Sequence, residues 1–355
     1  MKRIAGLDVG GANVKGCLIE VVGRRRIRAR GNTISHEVWR HPGGIGEAVS
    51  RVLEGLVPAG QPDAVGLTMT AELADVFPSK AEGVSQTARA VASVIAPGRL
   101  WLWTLPGGFS PAAKPVPPQQ VAAANWAASA SWLARVLQDG ILVDIGSTTT
   151  DIIPVGGGRV EGVGLDDTTR LKRGELLYLG MLRTPAHALR GSVFLGGETC
   201  RVAHEYFAVM ADAYRLLGLI TEDEYSPSTP DGRGRSIEAC TSRLARVVAA
   251  DLESLPEGGA QHIAMCLKEV HLHETTLSIL QVLSRFTPGN PGVSPLVAAG
   301  QGAFLVPEIA GRLGLPCHFW WNLARLEEPL AGGMREPIPL TAYAVADLLA
   351  GELEE

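Results

Sequence analysis

With 355 residues the chain is longer than a single hydrophobic core usually serves, so two domains are expected. It is 46% hydrophobic and 19% charged with a formal net charge of −5, which excludes a disordered chain and gives nucleic acid no electrostatic footing. The five scattered cysteines (Cys17, Cys200, Cys240, Cys266, Cys317) form no CxxC pair, which argues against zinc and disulfides and for a reducing, cytoplasmic compartment.

The N-terminal apolar run meets Asp8 too soon for a signal peptide, and no uncharged apolar stretch is long enough to span a bilayer. That run, residues 4–19, reads as strand, turn and strand. Gly10, Gly11 and Asn13 form the turn, with Asp8 before it and Lys15 after it. Such a turn can leave several backbone N–H groups converging on one anion, and glycine lets the backbone approach closely. An aspartate beside it suits Mg²⁺, which keeps most of its water and takes one or two carboxylates. The basic run from Arg24 to Arg28 decorates a turn or edge strand, where charge discourages sheet pairing; a polyanion contact is the alternative.

A loop follows at 36–42, then a helix at 45–56 and a buried strand at 63–70. Glu72 and Asp75 lie three apart and could share one helical turn, as a base and a cation-binding group or simply as acidic first-turn residues. Lys80 could meet a phosphate or pair with either acid. A helix is expected at 83–96, a strand at 100–104, a Gly/Pro-rich loop at 106–118 and an alanine-rich helix at 121–137.

Residues 141–153 repeat the opening pattern, with Asp144, then Gly146, Ser147, Thr148 and Thr149 in the turn, then Asp151. The run 174–185 combines glycines, one acid and Arg183 before a proline; Arg183 could grip a phosphate or carboxylate bidentately, or serve structure. Helices are expected at 202–217, 236–254 and 261–286, forming a helical insertion over about 165–290. His271 and His273 fall on different sides of one helix, so they do not pair on a metal, and a lone His204 reads as a core residue. Residues 294–307 read as a buried strand that breaks at Gly300 and Gly302 and continues into a helix. A last helix, with Ala342, Ala344 and Ala346, is expected at 339–349.

Two glycine-hydroxyl hairpins and a strand-Gly-helix turn, in this order, resemble the phosphate-1, phosphate-2 and adenosine motifs of the sugar kinase/Hsp70/actin superfamily. The runs MTAELAD, DIGSTTTDII and 174–185 resemble its hydantoinase/oxoprolinase-related branch, and within it the small proteins of methanopterin-linked one-carbon pathways. The resemblance implies an α/β fold with two ribonuclease H-like (actin/hexokinase-type) domains around a cleft, residues 1–137 and 138–355, the second carrying the insertion. It implies that the helices at 121–137 and 339–349 form a closely packed hinge, and that residues 68–75 face the cleft.

The implied activity is a transferase joining γ-glutamyltyramine to an aminomethylfuran diphosphate, with pyrophosphate released, as in methanofuran synthesis. Asp8, Asp144 and Asp151 would position Mg²⁺. Backbone and side chains at Gly10, Gly11, Asn13, Gly146, Ser147, Thr148 and Thr149 would take phosphate oxygens, with Lys15 adding charge. Glu72 or Asp75 would be the base. The alternative is an ATP-dependent small-molecule kinase, with Gly300 and Gly302 against adenosine and a cleft aspartate such as Asp144 deprotonating the substrate. Asn13 stands where such kinases commonly carry Thr or Ser, and true hydantoinases are far longer. The expected partner is a small phosphorylated molecule; nucleic acid and membrane are not expected, and self-association is left open.

Overall fold

The computed structural model describes residues 1–57, 60–162, 164–189, 191–285 and 294–354. In the first part of the chain, β1 (Lys2–Val9), β2 (Asn13–Val22), β3 (Arg25–Ser35), β4 (Ala64–Met69), β5 (Leu100–Trp103) and β6 (Phe109–Pro111) form one sheet in the order β3-β2-β1-β4-β5-β6. A second sheet takes β7 (Gly140–Ile145), β8 (Thr150–Gly156), β9 (Arg159–Val160) and β10 (Leu176–Leu177). After a separate hairpin of β11 (Ser192–Leu195) and β12 (Glu198–Arg201), it is completed by β13 (Leu296–Ala299) and β14 (Cys317–Phe319).

The second sheet runs β10-β8-β7-β13-β14, with β9 on β8. In both sheets a first strand pairs antiparallel with the next and parallel with a later one. One topology is therefore used twice, which is the arrangement the resemblance implies.

The helices are α1 (Ile45–Leu56), α2 (Lys80–Ala92), α3 (Pro118–Val121), α4 (Asn125–Val136), α5 (Asp167–Arg173), α6 (Ala186–Leu189), α7 (Met210–Leu216), α8 (Ile237–Arg246), α9 (Gly259–Leu283), α10 (Val306–Leu313) and α11 (Leu340–Glu352). The strand β1 is buried continuously from Ile4 to Val9 because helices cover both faces of its sheet. On one side α1 turns Ile45, Ala48, Val49, Val52 and Leu56 inward at helical spacing. On the other side α11 crosses β1, β2 and β4, although it lies at the end of the chain.

Gly6 makes that crossing close: a Cβ there would sit 2.0 Å from the Ala342 carbonyl oxygen. The helix α4 packs on β8 and β9 and also against α11, where Ser129 and Thr341 hydroxyls meet at 3.1 Å and Trp132 and Tyr343 rings meet edge-on. The two alanine-rich segments thus touch between the sheets.

Several expected elements differ in detail. The arginine run does begin an edge strand, β3, where Arg26 pairs with Asp347 and Arg28 and Arg30 share Glu20. The helix expected at 83–96 is α2; it starts at Lys80 because the Ser79 hydroxyl accepts from Glu82 N–H. The helix expected at 121–137 is broken at Ala123, whose φ is +49°. At 202–217 only α7 is helical, started by Asp212 accepting from Val209 N–H at 3.0 Å.

Ahead of α7, Gly196 and Gly197, both at positive φ, turn the hairpin β11–β12. The expected 236–254 helix stops at Arg246, and α9 ends at Leu283; Phe286 lies outside the described residues. His204 is exposed rather than in the core, while His271 is buried with its Nδ1 2.7 Å from the Tyr214 hydroxyl. Among the described residues no helix is long and apolar enough to cross a membrane.

Candidate active site

The two glycine turns are built alike. In the first, Gly10 N–H donates to Asn13 O at 2.9 Å; in the second, Gly146 N–H donates to Thr149 O at 2.9 Å. Each turn is then held from outside by its carbonyls. Val38 and His36 N–H groups donate to Gly11 and Ala12 oxygens, both at 2.9 Å. In the second turn Met181 N–H donates to Gly146 O at 2.9 Å, and Leu182 and Arg183 N–H groups donate to Ser147 O at 3.0 Å.

Since a peptide's N–H points opposite to its C=O, anchoring the carbonyls on the outside aims the turn's N–H groups the other way. Among the described residues the N–H groups of Gly11, Ala12, Ser147 and Thr148 have no hydrogen-bond partner, and the buried Ser147 hydroxyl has none either. The 174–185 run therefore acts as the brace of the second turn. Gly180 is required there because a Cβ would lie 2.4 Å from the Thr148 backbone.

Both turns line one cleft of about 290 Å³. Its wall contains Asp8, Gly10, Gly11, Asn13 and Lys15 from the first hairpin, and Asp144, Gly146, Ser147, Thr148, Thr149 and Asp151 from the second. Residues near 10 and near 146 thus face the same space. Arg183 also lines it. Glu72, Asp75, Lys80, Gly300 and Gly302 do not.

Glu72 is buried with Oε1 accepting from Ala123 N–H at 2.7 Å, Asp75 is exposed, and Lys80 Nζ stands 4.0 Å from Asp167. Gly300 (φ +81°) and Gly302 lie behind the second turn, and Gly302 N–H donates to Ile145 O at 2.9 Å. Glu72 thus spends Oε1 on the Ala123 N–H, while its Oε2 is buried without a partner.

The cleft's charges are unequally neutralised. Asp8 and Lys15 are cross-strand neighbours on β1 and β2 and meet at 3.3 Å, leaving Asp8 Oδ1 buried without a partner. Asp144 and Asp151 hold the same relation on β7 and β8. Asp151 is bound by Arg170 at 2.5 Å, and Arg170 is buried and stacked on Trp126. Asp144 has no hydrogen bond or ion pair among the described residues.

Burial first, then the charges of Glu336, Asp151 and Asp8, push the Asp144 carboxyl well above the carboxylate range against the pull of Lys15. Burial works to lower the Lys15 pKa, but Asp8, Asp144 and Glu336 outweigh it and the net shift is upward. Burial also raises Asp167, and burial with Asp167 and Asp75 raises Tyr178; both residues line the cleft.

Trp39, Asn125, Asp167, Arg170 and Glu336 did not stand out in the sequence. Asp166 as an N-cap with Arg170 four residues on was a readable helix start. For Trp39 and Glu336 no local signal exists, because their neighbours come from distant segments. Among the described residues no three His, Cys, Asp or Glu side chains form a metal cluster by themselves. Asp8 and Asp144 nevertheless suit a hard cation that arrives with phosphate: both supply oxygen donors, one with an orphaned buried oxygen and one without a cation.

A model of the hydantoinase/oxoprolinase family matches residues 63–332. The chain belongs to the hydantoinase/oxoprolinase family. It is 35% identical, over 99% of both chains, to the (4-{4-(2-(gamma-L-glutamylamino)ethyl)phenoxymethyl}furan-2-yl)methanamine synthase of Methanocaldococcus jannaschii. It is 30% identical to the synthase of the same name from Methanococcus vannielii, over 60% of this chain and 91% of that one.

Among solved structures, the family member resembles the activator of the 2-hydroxyisocaproyl-CoA dehydratase from Clostridium difficile, with bound ADPNP, at 12% identity over 99% of this chain and 95% of that one (TM-score 0.45). It also resembles nucleotide-free acetone carboxylase at 13% identity over 87% of this chain and 45% of that one (TM-score 0.48).

Proposed function

We propose that this protein is a cytoplasmic synthase that joins γ-glutamyltyramine to an aminomethylfuran diphosphate in methanofuran synthesis. The observation that carries this reading is the 35% identity over 99% of both chains to a synthase whose name describes a phenoxymethyl-furan product. Making that ether requires a bond between the phenol oxygen and the furan methylene carbon. The carbon–oxygen bond to diphosphate breaks, pyrophosphate leaves with the bonding pair, and the phenol loses its proton. The ring oxygen stabilises positive charge developing on the methylene, so the main task is to neutralise the departing anion.

The site supports each part of that task. The free N–H groups at Gly11, Ala12, Ser147 and Thr148 and the Ser147 hydroxyl take diphosphate oxygens. Asp8 and Asp144 would hold Mg²⁺, which when bound supplies positive charge to the leaving group. Lys15 keeps Asp8 oriented, and Arg170 does so for Asp151. Asp167, which lines the cleft together with Tyr178, would accept the phenol proton.

We also read the two sheets as the cores of two domains, 1–137 and 138–355 with an insertion over about 165–290, and α11 as returning to the first. An ATP-dependent kinase would place adenosine on Gly300 and Gly302. Those glycines pack on Asp144 and Ile145 behind the second turn.

The test is incubation of the purified protein with γ-glutamyltyramine, the aminomethylfuran diphosphate and Mg²⁺, with the ether followed by mass spectrometry and pyrophosphate by a coupled assay. Equal amounts of both products are expected. ADP formed from ATP with a small acceptor, and no ether, would replace this reading with the kinase.

A further inference from the structure

Among the described residues three cations line the cleft, and two are neutralised. Lys15 Nζ is held by Asp8 at 3.3 Å and Arg170 Nη2 by Asp151 at 2.5 Å. The Arg183 guanidinium makes no hydrogen bond or ion pair among the described residues; it lies over the Trp39 ring, 4.3 Å from the centroid. A cation–π contact restrains a guanidinium without using its N–H groups, which stay free for bidentate capture of a phosphate.

The two residues come from the two braces. Trp39 follows the His36 and Val38 N–H groups that hold the first turn, and the Arg183 N–H holds the second. A small recess lined by Arg183 also takes in Ala12 and Asn13 of the first turn, Ser147 of the second, and Glu37, whose carboxylate is paired with Arg40 at 2.9 Å. The turns themselves offer neutral donors, so among the described cleft side chains Arg183 is the cation free to add charge, beside any Mg²⁺, for a second phosphate.

We propose that Arg183, held against the Trp39 ring in the cleft wall, binds the distal phosphate of a diphosphate and makes the site prefer diphosphate to monophosphate. This rests on the reading that the turns take a phosphorylated ligand.

The test is calorimetric titration of the full chain, with Mg²⁺, using inorganic pyrophosphate and orthophosphate as probes. Wild-type protein is expected to bind pyrophosphate more tightly. Arg183→Ala is expected to weaken pyrophosphate by about tenfold or more, with orthophosphate changed by less than about threefold, as for one lost charge-assisted contact. Arg183→Lys retains the charge and the stem and is expected to recover part of the preference; Trp39→Leu is expected to lose part of it at an unchanged melting temperature. Equal weakening of both probes, or an unaltered preference in Arg183→Ala, overturns the proposal while leaving the phosphate site standing. Wild-type protein that binds neither probe overturns both.

Discussion

The Glu72 carboxylate accepts the Ala123 N–H at 2.7 Å, and Ala123 sits at φ +49°, where a residue with a side chain is strained. This bond interrupts the alanine-rich segment and seats Ala123 and Asn125 on the cleft wall. Glu72 is buried, and burial lifts its pKa from 4.5 to about 7. Because the folded value exceeds the unfolded one, its stabilising contribution is full below about 4.5 and is lost as pH rises through about 7. Glu72→Gln retains an accepting oxygen and removes the titration, so its melting temperature is expected to vary less than that of wild type between those limits. Glu72→Ala leaves the N–H unsatisfied and is expected to cost about 1–3 kcal/mol. Calorimetry across pH checks both; parallel curves for wild type and Glu72→Gln would exclude the role.

Gly6 stands where α11 lies on β1. A Cβ there would meet the Ala342 oxygen at 2.0 Å and the Ala346 nitrogen at 2.6 Å, and both are backbone atoms that cannot rotate away. Gly6→Ala must lift the helix from the sheet, so a loss of about 3 kcal/mol or more is expected, at the top of the usual overpacking range. For a chain of 355 residues that corresponds to a fall of roughly 4 °C or more in Tm. Gly43→Ala, with nothing within 4 Å, is the control and is expected to shift Tm little. Comparable losses in the two variants would mean that helix propensity or loop entropy, rather than the close crossing, sets the effect.

The parts readable from sequence were those fixed locally. A strand, a glycine turn and an aspartate at constant spacing define each hairpin, and residues 45–56 carry their own helical periodicity. The site beyond the turns was less legible because its members depend on contacts between distant segments. Glu72 was readable as a carboxylate after a strand, but its orientation depends on Ala123, 51 residues away. Trp39 gains its significance from Arg183, and Arg170 from Asp151 across the second sheet's edge. The β11–β12 hairpin was readable in principle from Gly196-Gly197 between two short strands, yet the surrounding helical periodicity outweighed it.

Glu336 fastens three segments through one oxygen. Its Oε1 accepts from Gly300 N–H at 3.0 Å, Trp320 Nε1–H at 2.8 Å and Leu340 N–H at 3.2 Å, joining the turn after β13, the segment after β14 and the start of α11. Glu336→Ala orphans three donors and is expected to cost about 3–5 kcal/mol, whereas Glu336→Gln retains an acceptor and is expected to lose less than half of that. Denaturant unfolding of the two variants measures the difference. Equal losses would show that the negative charge beside Lys15, and not the three bonds, is what the fold uses.

Asp144 is the cleft carboxylate without a cation, and burial together with Glu336, Asp151 and Asp8 raises its pKa. With the folded value above the unfolded one, ionising Asp144 costs stability as pH rises through the folded pKa. Asp144→Asn removes that cost, so its Tm at neutral and alkaline pH is expected to equal or exceed that of wild type. The same change removes an oxygen proposed for Mg²⁺, so synthase turnover is expected to fall by about 10²-fold or more, as when a charge-stabilising group is lost. A Mg²⁺ titration of pyrophosphate binding separates the two effects. A stable variant with wild-type Mg²⁺ dependence would take Asp144 out of the metal site, while a destabilised one would mean that Lys15 already compensates its charge in the folded protein.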